Sequence, residues 1–128
     1  MQLLIFVSIL VYLFIKHFYV DFINQSDKEV KHKGIYLDKV GMKHSIKHGA
    51  FTAVLYVVNF VHPSISIFHF LIAGVLDFII HYHIDYCKMK YGCRDITNKL
   101  FWIHLGLDQL LHSLTYVGIA YYISKSVL

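Results

Sequence analysis

Four apolar segments, at approximately 2–24, 42–61, 64–88 and 98–124, take up most of this 128-residue chain. Each approaches the roughly 20 mostly apolar residues that a helix needs to cross a bilayer. Such runs are too long for strands and too few for a membrane barrel, so helices are the expected element. Short connections make neighbouring helices antiparallel. The composition agrees: the chain is 57% hydrophobic and only 16% charged, with a mean hydropathy of +0.55. An average soluble protein is roughly 45–50% apolar and about 25% charged, and a soluble domain this small could not bury so much apolar surface. The expected fold is therefore all-α: a single domain over residues 1–128, an integral membrane bundle of four antiparallel transmembrane helices.

The first segment opens Met1-Gln2-Leu3-Leu4-Ile5, without a basic start or a small-residue cleavage site, and ends on His17 and Asp21. It is expected to stay in the mature protein. Of the 12 Lys and Arg residues, ten lie in two connections. Lys28, Lys31, Lys33, Lys39, Lys43 and Lys47 form one group; Lys88, Lys90, Arg94 and Lys99 form the other. The connection around His62-Pro63-Ser64 has none. The positive-inside rule places both basic loops in the cytoplasm of an inner membrane, with both termini outside. The basic residues also offer a hold on anionic lipid. They are not interleaved with stacking aromatics, so no nucleic-acid partner is expected. A reducing compartment leaves Cys87 and Cys93 as free thiols.

Ser26 and Glu29 fit a capping box, and Gly34 could close the helix behind it, so a short interfacial helix is expected in the first loop. Pro63 ends the second segment, Ser64 can cap the third, Gly92 breaks the chain, and Thr97 or Asn98 can start the fourth.

Each segment also carries an i, i+4 pair of ionisable residues: His17/Asp21, His44/His48, His81/Asp85 and Asp108/His112. Residues four apart share one helix face, and titratable groups inside lipid-length helices are costly enough to read as functional. With the topology above, all four pairs gather at the cytoplasmic face. His17, Asp21, His48, His81, Asp85, Asp108 and His112 are the candidate ligands. So many mixed His and carboxylate groups suit a site for one divalent ion or two, Zn, Mn or Fe. His44, Gln25, Asp77, Lys88, His104 and Gln109 are the expected supporting or substrate-facing groups.

The blander alternative is a polar network that merely holds four helices together. Interhelical polar bonds contribute only about 0.6–2 kcal/mol in membranes, and Ser, Thr or Gly would serve more cheaply. His62 and His69 read as packing residues, His32 as solvated, and His83 as facing away from the His81/Asp85 row.

The ordered strings His17-Phe18-Tyr19-Val20-Asp21-Phe22 with Gln25, then His48, then His81-Tyr82-His83-Ile84-Asp85-Tyr86 with Lys88, then Asp108-Gln109-Leu110-Leu111-His112, carry a resemblance. They resemble the domain-of-unknown-function 3307 family, small four-helix membrane proteins of bacteria and their phages. The resemblance implies the architecture and these positions; it implies no activity.

The expected function is a metal-dependent membrane hydrolase. A divalent ion makes water nucleophilic near neutral pH, for attack on a phosphoester or acyl carbonyl of a lipid-linked or phosphorylated substrate. Asp21, Asp85 and Asp108 are the carboxylates for ion binding and base catalysis. A metal transporter or channel, with an oligomer forming the path, is the alternative from another class. A non-enzymatic accessory protein with a structural His/Asp network is a third. Oxidative di-iron chemistry ranks last, because the multi-histidine boxes of membrane hydroxylases (H-x-x-H-H) are missing and Glu29 is the only glutamate.

Overall fold

A computed structural model of the chain describes residues 1–58 and 64–126. Among the described residues all regular structure is helical. The order is α1 (Gln2–Phe18), a π-helical turn (Tyr19–Ile23), α2 (Asp27–His32), α3 (Lys39–Val58), α4 (Ile67–Tyr91) and α5 (Lys99–Lys125). Two helices, Gln2–Ile23 and Ile67–Tyr91, are long and apolar enough to cross a membrane. α3 and α5 carry Lys39, Lys43, His44, Lys47 and His48, and Lys99, His104, Asp108 and His112, in their first halves, which lowers their hydropathy.

The end signals of the helices hold in part. Ser26 and Glu29 form a reciprocal capping box at α2, as expected. Burial raises the Glu29 carboxyl, but Lys47 and the Ser26 N–H and hydroxyl outweigh it and hold the group at about 2. α3 starts earlier than 42, because Asp38 Oδ1 accepts from the Val40 and Gly41 N–H groups at 2.9 and 3.2 Å. Its expected end, with Asn59, His62 and Pro63, lies outside the described residues. Ser64 does not cap α4. Ile65 turns into the core, 2% exposed, and Ser66 Oγ then accepts from Phe68 N–H. α4 runs past residue 88 to Tyr91 and stops at Gly92. Asn98, not Thr97, caps α5 through Leu100 N–H; Thr97 is tied to Asp95. Nor does Gly34 close α2 by a left-handed turn. Its role is close approach, since a Cβ there would lie 3.3 Å from Met89 and from the Arg94 side chain. The left-handed residue of this loop is Leu37, φ 57°, whose N–H donates to Tyr82 Oη at 2.6 Å.

α3 packs on both α1 and α4, and α5 packs on both α4 and α1, so the four long helices close a ring. Cross-helix contacts join the first half of one helix to the second half of its neighbour, as in His48 with His81 and Asp108 with Lys88. Neighbours in the ring are therefore antiparallel. α3 and α4 cross most closely: a Cβ on Gly49 would meet the Gly74 carbonyl oxygen at 2.5 Å, and one on Gly74 would meet the Gly49 oxygen at 2.7 Å. Glycine allows this approach because no side chain separates the two backbones.

The interior divides by polarity. One end, built from the start of α1, the end of α3, the start of α4 and the end of α5, packs Ile5, Ile9, Leu13, Leu55, Ile65, Phe70, Ile119 and Ile123. The other end is polar inside. The outer flanks of the long helices, by contrast, expose large apolar residues, among them Leu4, Val7, Val54, Val57, Phe68, Ile72, Leu110 and Leu114.

Candidate metal centre

At the polar end each helix contributes one i, i+4 row. α1 gives His17 and its π turn gives Asp21; α3 gives His44 and His48; α4 gives His81 and Asp85; α5 gives Asp108 and His112. The π turn matters locally. Asn24 N–H bonds to the Tyr19 carbonyl at 2.8 Å, five residues back, and single π turns inside helices are frequent at functional sites because they re-aim a side chain. Here the turn carries Asp21 toward α3. Its Oδ1 lies 2.9 Å from His44 Nε2, 3.2 Å from His48 Nε2 and 3.8 Å from His81 Nε2.

Asp85 spans the cluster. One oxygen, Oδ2, faces His81 Nε2 at 3.2 Å and His44 Nε2 at 3.5 Å, while Oδ1 faces His112 Nε2 at 3.4 Å. His112 Nε2 is also 3.5 Å from Asp108 Oδ1. The His48 and His81 rings stack at 3.5 Å, with His112 next at 4.1 Å from His81. All of this is buried: His44, His48 and His81 are fully covered.

Three overlapping sets bring their ligand atoms within 4.8 Å of one another: Asp21, His44, His48 and His81; His17, His81 and His112; Asp85, Asp108 and His112. Ligands about 2.0–2.2 Å from a common ion stand at most about 4.4 Å apart, so small movements suffice. The hydrogen bonding fits the same use. His44, His81 and His112 Nε2, and Asp108 Oδ1, are buried and make no hydrogen bond although groups of opposite character lie beside them. A buried polar atom without such a partner is costly, and each of these residues belongs to at least one of the sets in which a cation would engage it.

His17 differs from them in having hydrogen-bond partners at both ring nitrogens. Gln109 Nε2 donates to Asp108 Oδ2 at 3.0 Å, which turns its Oε1 toward His17 Nε2 at 3.2 Å. A ring nitrogen facing an amide oxygen must carry the proton. The other nitrogen, Nδ1, is 2.9 Å from Tyr116 Oη, whose oxygen already accepts from Lys16 Nζ at 3.4 Å. The tyrosine therefore donates to Nδ1. His17 Nε2 also lies 3.2 Å from Asp21 Oδ2, so His17 joins the carboxylates of the cluster to the Gln109 and Tyr116 edge.

The remaining expected residues fall as follows. His44 is as central as any ligand. Gln25 holds the π turn, donating to the Asp21 carbonyl oxygen at 3.0 Å. Lys88 ion-pairs with Asp108 at 2.9 Å. Asp77 and His104 do not reach the cluster. Asp77 pairs with Lys16 one turn deeper, at 2.5 Å, and His104 Nδ1 accepts from Cys93 N–H in the α4–α5 connection. His83 is exposed and bonds its own helix at the Ile79 carbonyl.

Sequence reasoning missed Lys33, which looked like one loop charge among several. Its ammonium enters the cluster 2.8 Å from Asp85 Oδ2 and 3.6 Å from Asp21 Oδ1. It also missed the layer formed by Lys16, Thr52, Asp77 and Tyr116. A signal for that layer existed. Lys16 is a charge inside an apolar segment, and Thr52 and Tyr116 continue the His48 and His112 rows by one turn.

The chain matches the model of the family described as "Protein of unknown function (DUF3307)" over residues 9–128. It belongs to the DUF3307 family. The match takes in α3, α4 and α5, α1 from residue 9 on, and every residue of the cluster, so the buried His/Asp set lies in the family domain and not in an appended segment. No curated protein and no solved structure matches the chain.

Proposed function

We infer that this DUF3307 protein is a metal-dependent hydrolase of the cytoplasmic membrane, acting at the cytoplasmic face on a phosphoester or lipid-linked substrate. One observation carries the reading: the buried Nε2 atoms of His44, His81 and His112, from three helices, converge on Asp21 and Asp85 without hydrogen-bonding to them, beside His48, which bonds Asp21. Asp21, His44, His48 and His81 would hold one ion; Asp85, Asp108 and His112 would hold a second or complete the first. Such ions supply Lewis acidity and a nucleophilic water near neutral pH.

The protein's own groups have assigned tasks in this reading. Asp85, facing both halves of the set, holds them in register. Gln109 fixes His17 against Asp108, so the edge of the site keeps one tautomer. Lys33 and Lys88 place two ammonium groups against the three carboxylates, suited to an anionic substrate.

Four transmembrane helices follow from the same inside-out pattern. In α3 and α5, His44, His48, Asp108 and His112 face inward, and Lys39, Lys43 and Lys99 are exposed near the helix starts, while Val54, Val57, Leu110 and Leu114 face outward. An exposed apolar flank of this extent calls for lipid or a partner. The exposed Cys87 thiol tests the topology: an impermeant maleimide should label it from the cytoplasmic side only.

A purely structural network is the second reading, favoured by Lys33 and Lys88, which already neutralise two of the carboxylates. A transporter has less support, because the described interior beyond Lys16 and Asp77 is mostly apolar, with Ser124 and His69 among its few polar groups. Elemental mass spectrometry on detergent-purified protein separates the readings. Near-stoichiometric Zn, Mn or Fe, lost in Asp85→Ala and Asp108→Ala, is the expected result. Folded wild type that stays empty after reconstitution with each metal would overturn it.

A further inference from the structure

A groove of about 370 Å³ runs along the outer flank between α4 and α5. Its walls are Ile84, Cys87 and Tyr91 from one helix and Leu107 and Leu111 from the other, with Lys88 at the inner edge. Leu107 and Leu111 are exposed, so the groove opens onto the apolar flank of the bundle rather than into its interior. The two wall segments, 84–91 and 104–111, extend for about two helical turns, roughly 10 Å. That length and volume suit an alkyl chain segment.

The inner edge has the opposite character. Lys88 Nζ is 2.9 Å from Asp108 Oδ2, its side chain 29% exposed while that of Asp108 is 3% exposed. Asp108 in turn lies beside His112. The Lys88–Asp108 pair is thus the point where the groove meets the buried cluster. Lys90, Arg94 and Lys99 belong to the same end of the bundle. An apolar trough with a half-exposed ammonium at its head is complementary to an amphiphile with an anionic head.

We propose that the α4–α5 groove binds the hydrocarbon chain of a phosphate-headed membrane lipid and sets its phosphate against Lys88, beside Asp108. The choice of phosphate rests on the hydrolase reading above; the binding of an anionic lipid does not. The head would take over one of the ammonium hydrogen bonds of Lys88, leaving Asp108 free to turn toward His112.

Native mass spectrometry of the full chain in detergent tests this, with dioctanoyl phosphatidic acid, dioctanoylglycerol and inorganic phosphate as probes. Wild type should hold the phosphatidic acid at least tenfold more tightly than the diacylglycerol, and inorganic phosphate should not displace it. Leu111→Trp, which fills the groove, should lose at least tenfold, whereas Leu114→Trp, on the exposed flank outside it, should stay within twofold. Lys88→Gln, a surface-compatible change if the tryptophan variant misfolds, should bring the two lipids to parity. Equal losses in both tryptophan variants would mean general lipid contact, and displacement by inorganic phosphate would mean a free-phosphate site; either overturns the proposal. The series is run after chelation and again after metal loading. Lipid selectivity absent from protein that takes up metal sinks this inference alone. Selectivity present in protein that takes up none sinks the hydrolase reading alone.

Discussion

Two polar layers lie one turn apart inside the same bundle and are built on different terms. Thr52, Asp77 and Tyr116 sit four residues from His48, His81 and His112, about 6 Å along their helices. In this deeper layer the Lys16 ammonium meets Asp77, Thr52 and Tyr116. One cation, one anion and two hydroxyls largely satisfy one another. The outer layer holds three carboxylates and several imidazoles, and the Nε2 atoms of His44, His81 and His112 remain outside hydrogen-bond geometry even with Lys33 and Lys88 present. A buried polar set built for packing looks like the first. The second is arranged as a receptor.

The comparison breaks most sharply on metal content. Asp85→Asn should abolish metal uptake, while Asp77→Asn, one layer down, should leave the metal-to-protein ratio unchanged; equal losses would mean that the layers are not distinct. Stability should respond in the other order. Lys16→Met leaves the Asp77 carboxylate buried and unpaired, at a cost of about 3–5 kcal/mol. A Lys16→Met/Asp77→Leu double variant should recover most of that in a detergent melt. The α3–α4 crossing aligns both layers. Gly74→Ala, with its Cβ pressed on the Gly49 carbonyl, should lose about 1–3 kcal/mol and some metal affinity with it. The smallest effect lies in the short helix α2. Glu29 is held at about 2, against an ordinary value of 4.5. Its stabilising contribution is therefore present above pH 4.5 and fades as pH falls toward 2. The gap in melting temperature between wild type and Glu29→Gln should narrow across that window, and a constant gap would remove Glu29 as its source.

Much of this was legible along the chain because it is local. The i, i+4 rows, the Ser26/Glu29 capping box and the Asn98 cap each depend on residues within one turn. The gathering of His48, His81, Asp85, Asp108 and His112 at one end follows from antiparallel order, which apolar segments joined by short connections impose. Asp77 and His104 were misplaced for a related reason. Helical periodicity extends a row to them, but what a row meets depends on the facing helix, and Lys16 captured one while the Cys93 backbone captured the other.

The sequence by itself determined the all-helical fold, the rows and the family, since periodicity and order are properties of the chain alone. Only the tertiary structure decided that a π turn aims Asp21 at α3, that His17 is tied by Gln109 and Tyr116, and that Lys33 enters from a loop. Those outcomes depend on pairs far apart in sequence, whose meeting is set by ring closure and by the Gly49–Gly74 approach, and no local pattern encodes them.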